Sequence, residues 1–258
     1  MHADAPVAAR LEGCRALVTG SSSGIGRAIL LELAGSGAAV IAHANRSFAR
    51  AEALAAEVAR RGTRAIALEA DLRDPEACRR LVARAFEALG GIDVWVNNAG
   101  ADILTEGGQK MSFESKLEML LEVDVRATML LTRDVGRIMK GSGGGSIVNM
   151  GWDKAATGME GDAGELFAAA KGAIMSFTRS AALSLAPRVR VNCIAPGWIR
   201  TAWGETAGAV WQERVLRETP LRRWGTPEDV AHVARFLASG DAAFLTGQVI
   251  AVNGGVVR

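Results

Sequence analysis

Thr19-Gly20-Ser21-Ser22-Ser23-Gly24-Ile25-Gly26 is the stretch on which the fold turns. An apolar run, Arg15–Thr19, leads into it and an amphipathic run, Ile25–Ala34, leads out, so the segment reads as strand, glycine-rich turn and helix. Glycines there let the backbone turn tightly and lie close to a pyrophosphate. The start of the helix adds unpaired N–H groups and the positive end of its dipole. A glycine trio alone is a weak signal; the strand before and the helix after give it weight. Gly20, Ser22, Ser23, Gly24, Ile25 and Gly26 are therefore the expected phosphate cradle of a dinucleotide.

The same alternation continues outward. Ala39–Ala42, Ala65–Ala70, Ile92–Val96, Ser146–Met150, Val189–Ile194 and Gln248–Val252 read as strands, nearly all apolar, as strands covered on both faces are. Phe48–Arg60, Pro75–Leu89 with proline in its first turn, a long stretch over Phe113–Met139, Leu166–Ala186 and Pro227–Ala238 read as helices. Strands alternating with helices predict an α/β chain: a single-domain Rossmann fold, a doubly wound parallel sheet of about seven strands with helices on both faces. Residues 1–10 read as a short N-terminal arm and 11–258 as the domain. The least regular stretch, about 196–225, holds Trp198, Trp203, Trp211 and Trp224 and is expected to form a small lid.

Composition narrows the partners. The chain has 258 residues, 49% hydrophobic and 22% charged, enough for one large core in a soluble protein. Lys and Arg number 30 against 28 Asp and Glu, a net charge of +2, which gives no electrostatic reason for nucleic acid or an anionic membrane as partner. No apolar run is long enough to span a bilayer, and Met1–Glu12 lacks the apolar middle of a signal peptide, so a cytoplasmic location is expected. Cys14, Cys78 and Cys193 show neither metal spacing nor a disulfide framework and read as free thiols; no metal is expected.

Further motifs follow the strands in order. Asp71-Leu72 comes after the third and Asn97-Asn98-Ala99-Gly100 after the fourth. Ala195-Pro196-Gly197-Trp198-Ile199-Arg200-Thr201 comes after the sixth. Pro220-Leu221 through Gly225-Thr226-Pro227-Glu228-Asp229 and Thr246-Gly247 through Asn253-Gly254-Gly255 complete the series. Together with the TGxxxGxG spacing of the cradle, these resemble the short-chain dehydrogenase/reductase family over roughly residues 11–256. The resemblance implies that Asp71 and Leu72 contact adenine, that Asn98, Ala99 and Gly100 belong to the family's NNAG turn, and that Pro196, Gly197, Ile199 and Thr201 hold the nicotinamide carboxamide.

Cofactor choice is read after the second strand. An NAD-preferring site usually ends that strand with an acid that binds the ribose 2′-hydroxyl. Here the residues are His43-Ala44-Asn45-Arg46-Ser47, with no acid. Arg46 is placed to pair with a 2′-phosphate and Ser47 to donate a hydrogen bond, so NADP(H) is expected ahead of NAD(H), which stays open.

The resemblance also implies a catalytic set of Asn, Ser, Tyr and Lys, in which the phenol of a YxxxK step moves the proton and the Lys binds the nicotinamide ribose and lowers the phenol's pKa. This chain contains no tyrosine. The step reads Phe167-Ala168-Ala169-Ala170-Lys171: the lysine is kept and the proton donor is not. Counted from the fifth strand the Ser position is Trp152; counted back from Phe167 it is Lys154; neither carries a hydroxyl. The Asn position is Asp124. Lys171 and Asp124 are therefore the candidate catalytic residues, with Asp153, Asp162 and Glu165 as further carboxyl groups whose bland reading is a solvated loop, and Trp152, Phe167, Trp198 and Trp203 as candidate pocket walls.

These readings lead to an NADP(H)-dependent oxidoreductase that moves hydride to or from a small apolar or aromatic substrate, an activated alkene or imine for example, without the usual tyrosine acid. Two others stay open: a catalytically silent NADP(H)-binding sensor or scaffold, and cofactor-assisted isomerisation or dehydration. The resemblance further implies a homo-oligomer, dimer or tetramer, paired through Phe113–Met139 and Leu166–Ala186.

Overall fold

The structure, a computed structural model, describes residues 10–104 and 108–257, so nearly all of the expected N-terminal arm lies outside the described residues. The seven strands are β1 (Arg15–Val18), β2 (Ala39–Ala44), β3 (Ala65–Glu69), β4 (Val94–Asn97), β5 (Gly145–Met150), β6 (Val189–Pro196) and β7 (Val249–Val252). They form one parallel sheet in the order β3-β2-β1-β4-β5-β6-β7. Register is set by alternation. Ala16 and Val18 of β1 are buried on one face and Leu17 on the other.

The first face is covered by α1 (Gly24–Gly35), α2 (Phe48–Arg60) and α9 (Pro227–Ala238), which bury Ile29, Leu33, Leu54, Val230 and Leu237. The second is covered by α3 (Pro75–Leu89), α5 (Ala127–Gly141) and α6 (Asp162–Leu185), through Leu81, Leu131, Val135 and Leu185. Local chemistry stops and starts these helices. Asp74 caps α3 by accepting the N–H of Glu76, and Gly90 ends it in the left-handed region at φ 72°. Thr226 and Asp229 form a reciprocal capping box on α9. Strand order reverses between β1 and β4, so the loops after these two strands diverge and leave a crevice at their carboxyl ends.

Three stretches depart from the sequence reading. The helix expected over Phe113–Met139 is broken into α4 (Phe113–Leu120), one wide π turn (Leu121–Arg126) and α5. That turn carries Asp124, a fully buried carboxylate, toward two partners; an unpaired charge in that position would cost several kcal/mol. Helix α6 begins at Asp162, earlier than Leu166. The stretch expected to be irregular from Pro196 contains two helices, α7 (Ala202–Thr206) and α8 (Ala209–Glu218). Beside them Trp198, Trp203, Trp211 and Trp224 form one cluster, with ring centroids 5.4–6.4 Å apart. No helix among the described residues is long and apolar enough to cross a membrane.

Candidate functional site

The cradle is built by contacts between β1, β4 and α1. Gly20 has φ 63°, and a Cβ on it would lie 2.7 Å from the Cα of Ala99. A Cβ on Gly26 would collide with the Gly20 carbonyl and the Asn98 amide. Only glycine fits either place. Asn98 ties the turn down: its Nδ2 donates to the carbonyls of Thr19 (3.0 Å) and Gly20 (3.2 Å), while Thr19 Oγ1 accepts the N–H groups of Asn98 (2.9 Å) and Ala99 (3.0 Å). Helix α1 has no side-chain cap at Ser23 and no acid in its first turn, so its leading N–H groups face outward for an anion.

His43 completes the turn from β2, a role the sequence reading missed. Its Nδ1 accepts the Gly20 N–H at 3.2 Å and its Nε2 meets the Ala70 carbonyl at 3.2 Å, which fixes the neutral ring with the proton on Nε2. Burial pushes His43 down to about 4 from an ordinary 6.5. The unfolded chain therefore takes up a proton below pH 6.5 that the folded chain refuses until about pH 4, and stability falls through that window. Between pH 7 and pH 5 the expected loss from this group is about 2 kcal/mol. Urea midpoints at the two pH values check it; an equal loss in His43→Asn would assign the effect elsewhere.

Two cavities flank the cradle. The first, about 720 Å³, is lined by Gly20, Ser22, Ser23, Arg46, Ser47, Asp71, Leu72, Ala99 and Gly100, all expected from sequence. Arg73, which was not expected, lies there too. Its guanidinium holds Asp71 at 2.5 Å and lowers that carboxyl to about 2. Arg46 and Ser47 are exposed.

The second cavity, about 550 Å³, gathers Ile25, Asn98, Lys171, Pro196, Gly197, Ile199 and Thr201 with Trp152, Phe167, Trp198 and Trp203. Gly24 and Gly26 shape the turn without lining either cavity. Phe167 and Lys171 lie one turn apart on α6, and the Phe167 ring meets Trp152 edge to face at 6.1 Å. Trp211, Glu160, Asp162 and Arg214 also line this cavity.

Asp124 does not line it. The carboxylate is 0% exposed: Oδ2 accepts the Ala101 N–H at 2.8 Å and Oδ1 pairs directly with Lys171 Nζ at 2.7 Å. The carboxylate is thus a holder of Lys171 rather than a wall of the pocket. Asp153, expected in a solvated loop, is instead buried behind Gly197, with Oδ2 accepting from Asn253 at 3.2 Å. Burial raises its carboxyl, partly offset by Asn253 and Lys154. Asp162 and Glu165 are exposed at the start of α6. Among the described residues no cluster of His, Cys, Asp and Glu has the makings of a metal site.

Comparison with known proteins finds relatives over nearly the whole chain. A family model described as enoyl-acyl-carrier-protein reductase matches residues 20–257. The 3-oxoacyl-acyl-carrier-protein reductase of Aquifex aeolicus is 37% identical over 253 residues, covering 96% of this chain and 98% of that protein. A short-chain dehydrogenase of Burkholderia cenocepacia, solved in complex with NADP, superposes with a TM-score of 0.86 at 34% identity, covering 96% of this chain and 99% of its own. A 7α-hydroxysteroid dehydrogenase, solved with NADH and 7-oxo glycochenodeoxycholic acid, gives a TM-score of 0.87 at 31% identity, with 96% of each chain covered.

Proposed function

The chain belongs to the short-chain dehydrogenase/reductase family, and from that membership we propose that it is an NADP(H)-dependent oxidoreductase that transfers hydride to or from a small apolar or aromatic substrate without a tyrosine acid. The observation that carries the reading is the pairing of Phe167 with Trp152 beside Lys171: an apolar edge where a relative with YxxxK would place a phenol.

The residues fit the dinucleotide. The uncapped first turn of α1 and the close backbone approach at Gly20 and Gly26 suit a pyrophosphate. Asp71 and Leu72, which line one cavity, are assigned the adenine, and Pro196, Gly197, Ile199 and Thr201, which line the other, the carboxamide. When bound, the reduced nicotinamide supplies hydride. Asp124 keeps the Lys171 ammonium fixed, so Lys171 can hold the nicotinamide ribose from one position. The stretch 196–225, with α7 and α8, serves as the lid, and its tryptophans keep water from the reacting carbon. NADPH oxidation against a panel of enones, imines and ketones tests the reading. Turnover of enones or imines with ketones left untouched supports it; NADPH binding with no turnover of any acceptor would reduce the protein to a silent binder.

Arg46 is assigned the 2′-phosphate, with Ser47 beside it. NADPH should bind more tightly than NADH, and Arg46→Ala should shrink the gap by about ten-fold to a hundred-fold, the value of a charge-assisted hydrogen bond. Calorimetry with both cofactors decides; equal binding by the wild type removes the argument.

The protein assembles as a dimer or tetramer through the stretches Phe113–Met139 and Leu166–Ala186, which hold α4 and most of α5 and α6. Large apolar side chains on these elements support this, with Leu183 83%, Leu121 47% and Ile138 41% exposed. A monomer mass by light scattering at micromolar protein would contradict it.

A further inference from the structure

The cavity beyond Lys171 is walled by aromatic rings: Trp152, Phe167, Trp198, Trp203 and Trp211. Indole faces carry negative potential and attract cations. One face here already holds one: the Arg214 guanidinium lies 5.0 Å over Trp211.

The charges around the cavity lean the same way. Lys171 is matched by Asp124 at 2.7 Å. Arg214 lies between Glu160 at 2.8 Å and Glu218 at 2.7 Å, and Glu218 also meets Lys154 at 3.3 Å. Asp162, exposed on the cavity lining, has no cationic partner among the described residues. The acids Asp124, Glu160, Asp162 and Glu218 thus outnumber the bases Lys154, Lys171 and Arg214 by one. Both lining cations are neutralised, and an acid is left over.

We propose that this cavity takes a flat, aromatic-bearing iminium cation, an N-substituted C=N⁺ compound, as the hydride acceptor. The proposal rests on the hydride-transfer reading above and narrows its substrate class. Its chemistry matches the missing acid. Hydride adds to the iminium carbon, the π pair of the C=N bond moves to nitrogen, and a neutral tertiary amine results; the dihydronicotinamide is oxidised to the pyridinium form. No proton enters, so no phenol is needed. A ketone, by contrast, must gain both hydride and proton. Aromatic walls and one excess carboxylate recognise the positive charge, and that charge makes the carbon electrophilic.

Two probes of one shape separate charge from apolar fit: 4-(trimethylammonio)phenol and 4-tert-butylphenol, which differ by nitrogen for carbon and by the charge. Both are titrated by calorimetry into the full chain loaded with NADPH. The cation is expected to bind at least about ten-fold more tightly, against the greater hydrophobicity of the neutral compound. Trp203→Leu and Asp162→Asn should each weaken the cation about three-fold to ten-fold and leave the neutral phenol within about two-fold. Asp162 is exposed, so its variant keeps the fold whatever becomes of the tryptophan change. N-methyl-3,4-dihydroisoquinolinium should then be consumed with stoichiometric NADPH oxidation. If NADPH binds and the neutral phenol binds as well as the cation, the iminium assignment falls while the hydride-transfer reading stands. Failure to bind NADPH would overturn both.

Discussion

Wild-type protein saturated with NADPH should reduce simple ketones and aldehydes about 10²–10⁴-fold more slowly than a site with a positioned acid, the usual contribution of such a group. Carbonyl reduction puts negative charge on oxygen as hydride arrives. Phe167 lies one turn from Lys171, on the face of α6 that meets Trp152 at 6.1 Å, and offers neither a proton nor a hydrogen bond. The buried carboxyl groups do not fill the gap: Asp124 is engaged by Ala101 and Lys171, and Asp153 lies behind Gly197. Phe167→Tyr alone should return little activity, because the Trp152 indole, 6.1 Å from the Phe167 ring, would still wall the pocket beside the new phenol. Phe167→Tyr with Trp152→Ser should recover a measurable part of the loss, since a positioned oxygen-stabilising donor is worth about 10²–10³-fold. Ketone reduction by the wild type at the rate of the double variant would end the missing-acid argument. Full recovery in Phe167→Tyr alone would show that Trp152 does not obstruct the site.

Much of this site is legible in one dimension because its parts sit on strand ends. The cradle after β1, Asn97–Gly100 at the end of β4 and Ala195–Thr201 at the end of β6 each follow a short apolar run, and a parallel sheet brings all such ends to one edge. Helices with chemical punctuation were equally readable: α3 begins at Pro75, as expected from proline in the first turn, and α9 at Pro227 as the sequence reading had it. The π turn was not. Asp124 within it is held by the Ala101 N–H and the Lys171 ammonium, 23 and 47 residues away, and partners so distant leave no mark on the apolar spacing. Arg214 escaped for a like reason. Its partner Glu160 is 54 residues distant, and nothing in Gln212-Glu213-Arg214 marks it as a pocket wall rather than a solvated helix face. His43 reads as the first residue after the second strand, near the adenine side; only the fold shows that its ring receives the Gly20 N–H. Pairwise contacts between distant segments place polar groups in a core, and periodicity carries no record of them.

The second large effect should come from the pair that the π turn creates. Asp124 is 0% and the Lys171 side chain 11% exposed, so each charge depends on the other. Breaking a buried pair from one side typically costs 3–5 kcal/mol, roughly, because the remaining charge stays desolvated. Asp124→Ala also leaves the Ala101 N–H without its acceptor. For a chain of this size about 1 kcal/mol moves Tm by roughly 2–4 °C, so Asp124→Ala should lower Tm by about 6–20 °C. Asp124→Asn, of nearly the same shape, should cost less than Asp124→Ala: its amide oxygen can still accept from Ala101, although its NH2 then faces the Lys171 ammonium and the compensating charge is lost. Lys171→Met should destabilise as well, and Asp124→Asn combined with Lys171→Met should be more stable than the sum of the two losses, since neither charge is then stranded. The cofactor reports the functional side of the same pair. In Asp124→Asn the lysine keeps its charge but loses its anchor, so NADPH affinity should fall even where the Tm loss is small. Calorimetric melting and NADPH titration of the three single variants and the one double variant measure both effects. Additive Tm losses in the double variant would mean that Asp124 and Lys171 act independently and that the π turn exists for some other reason.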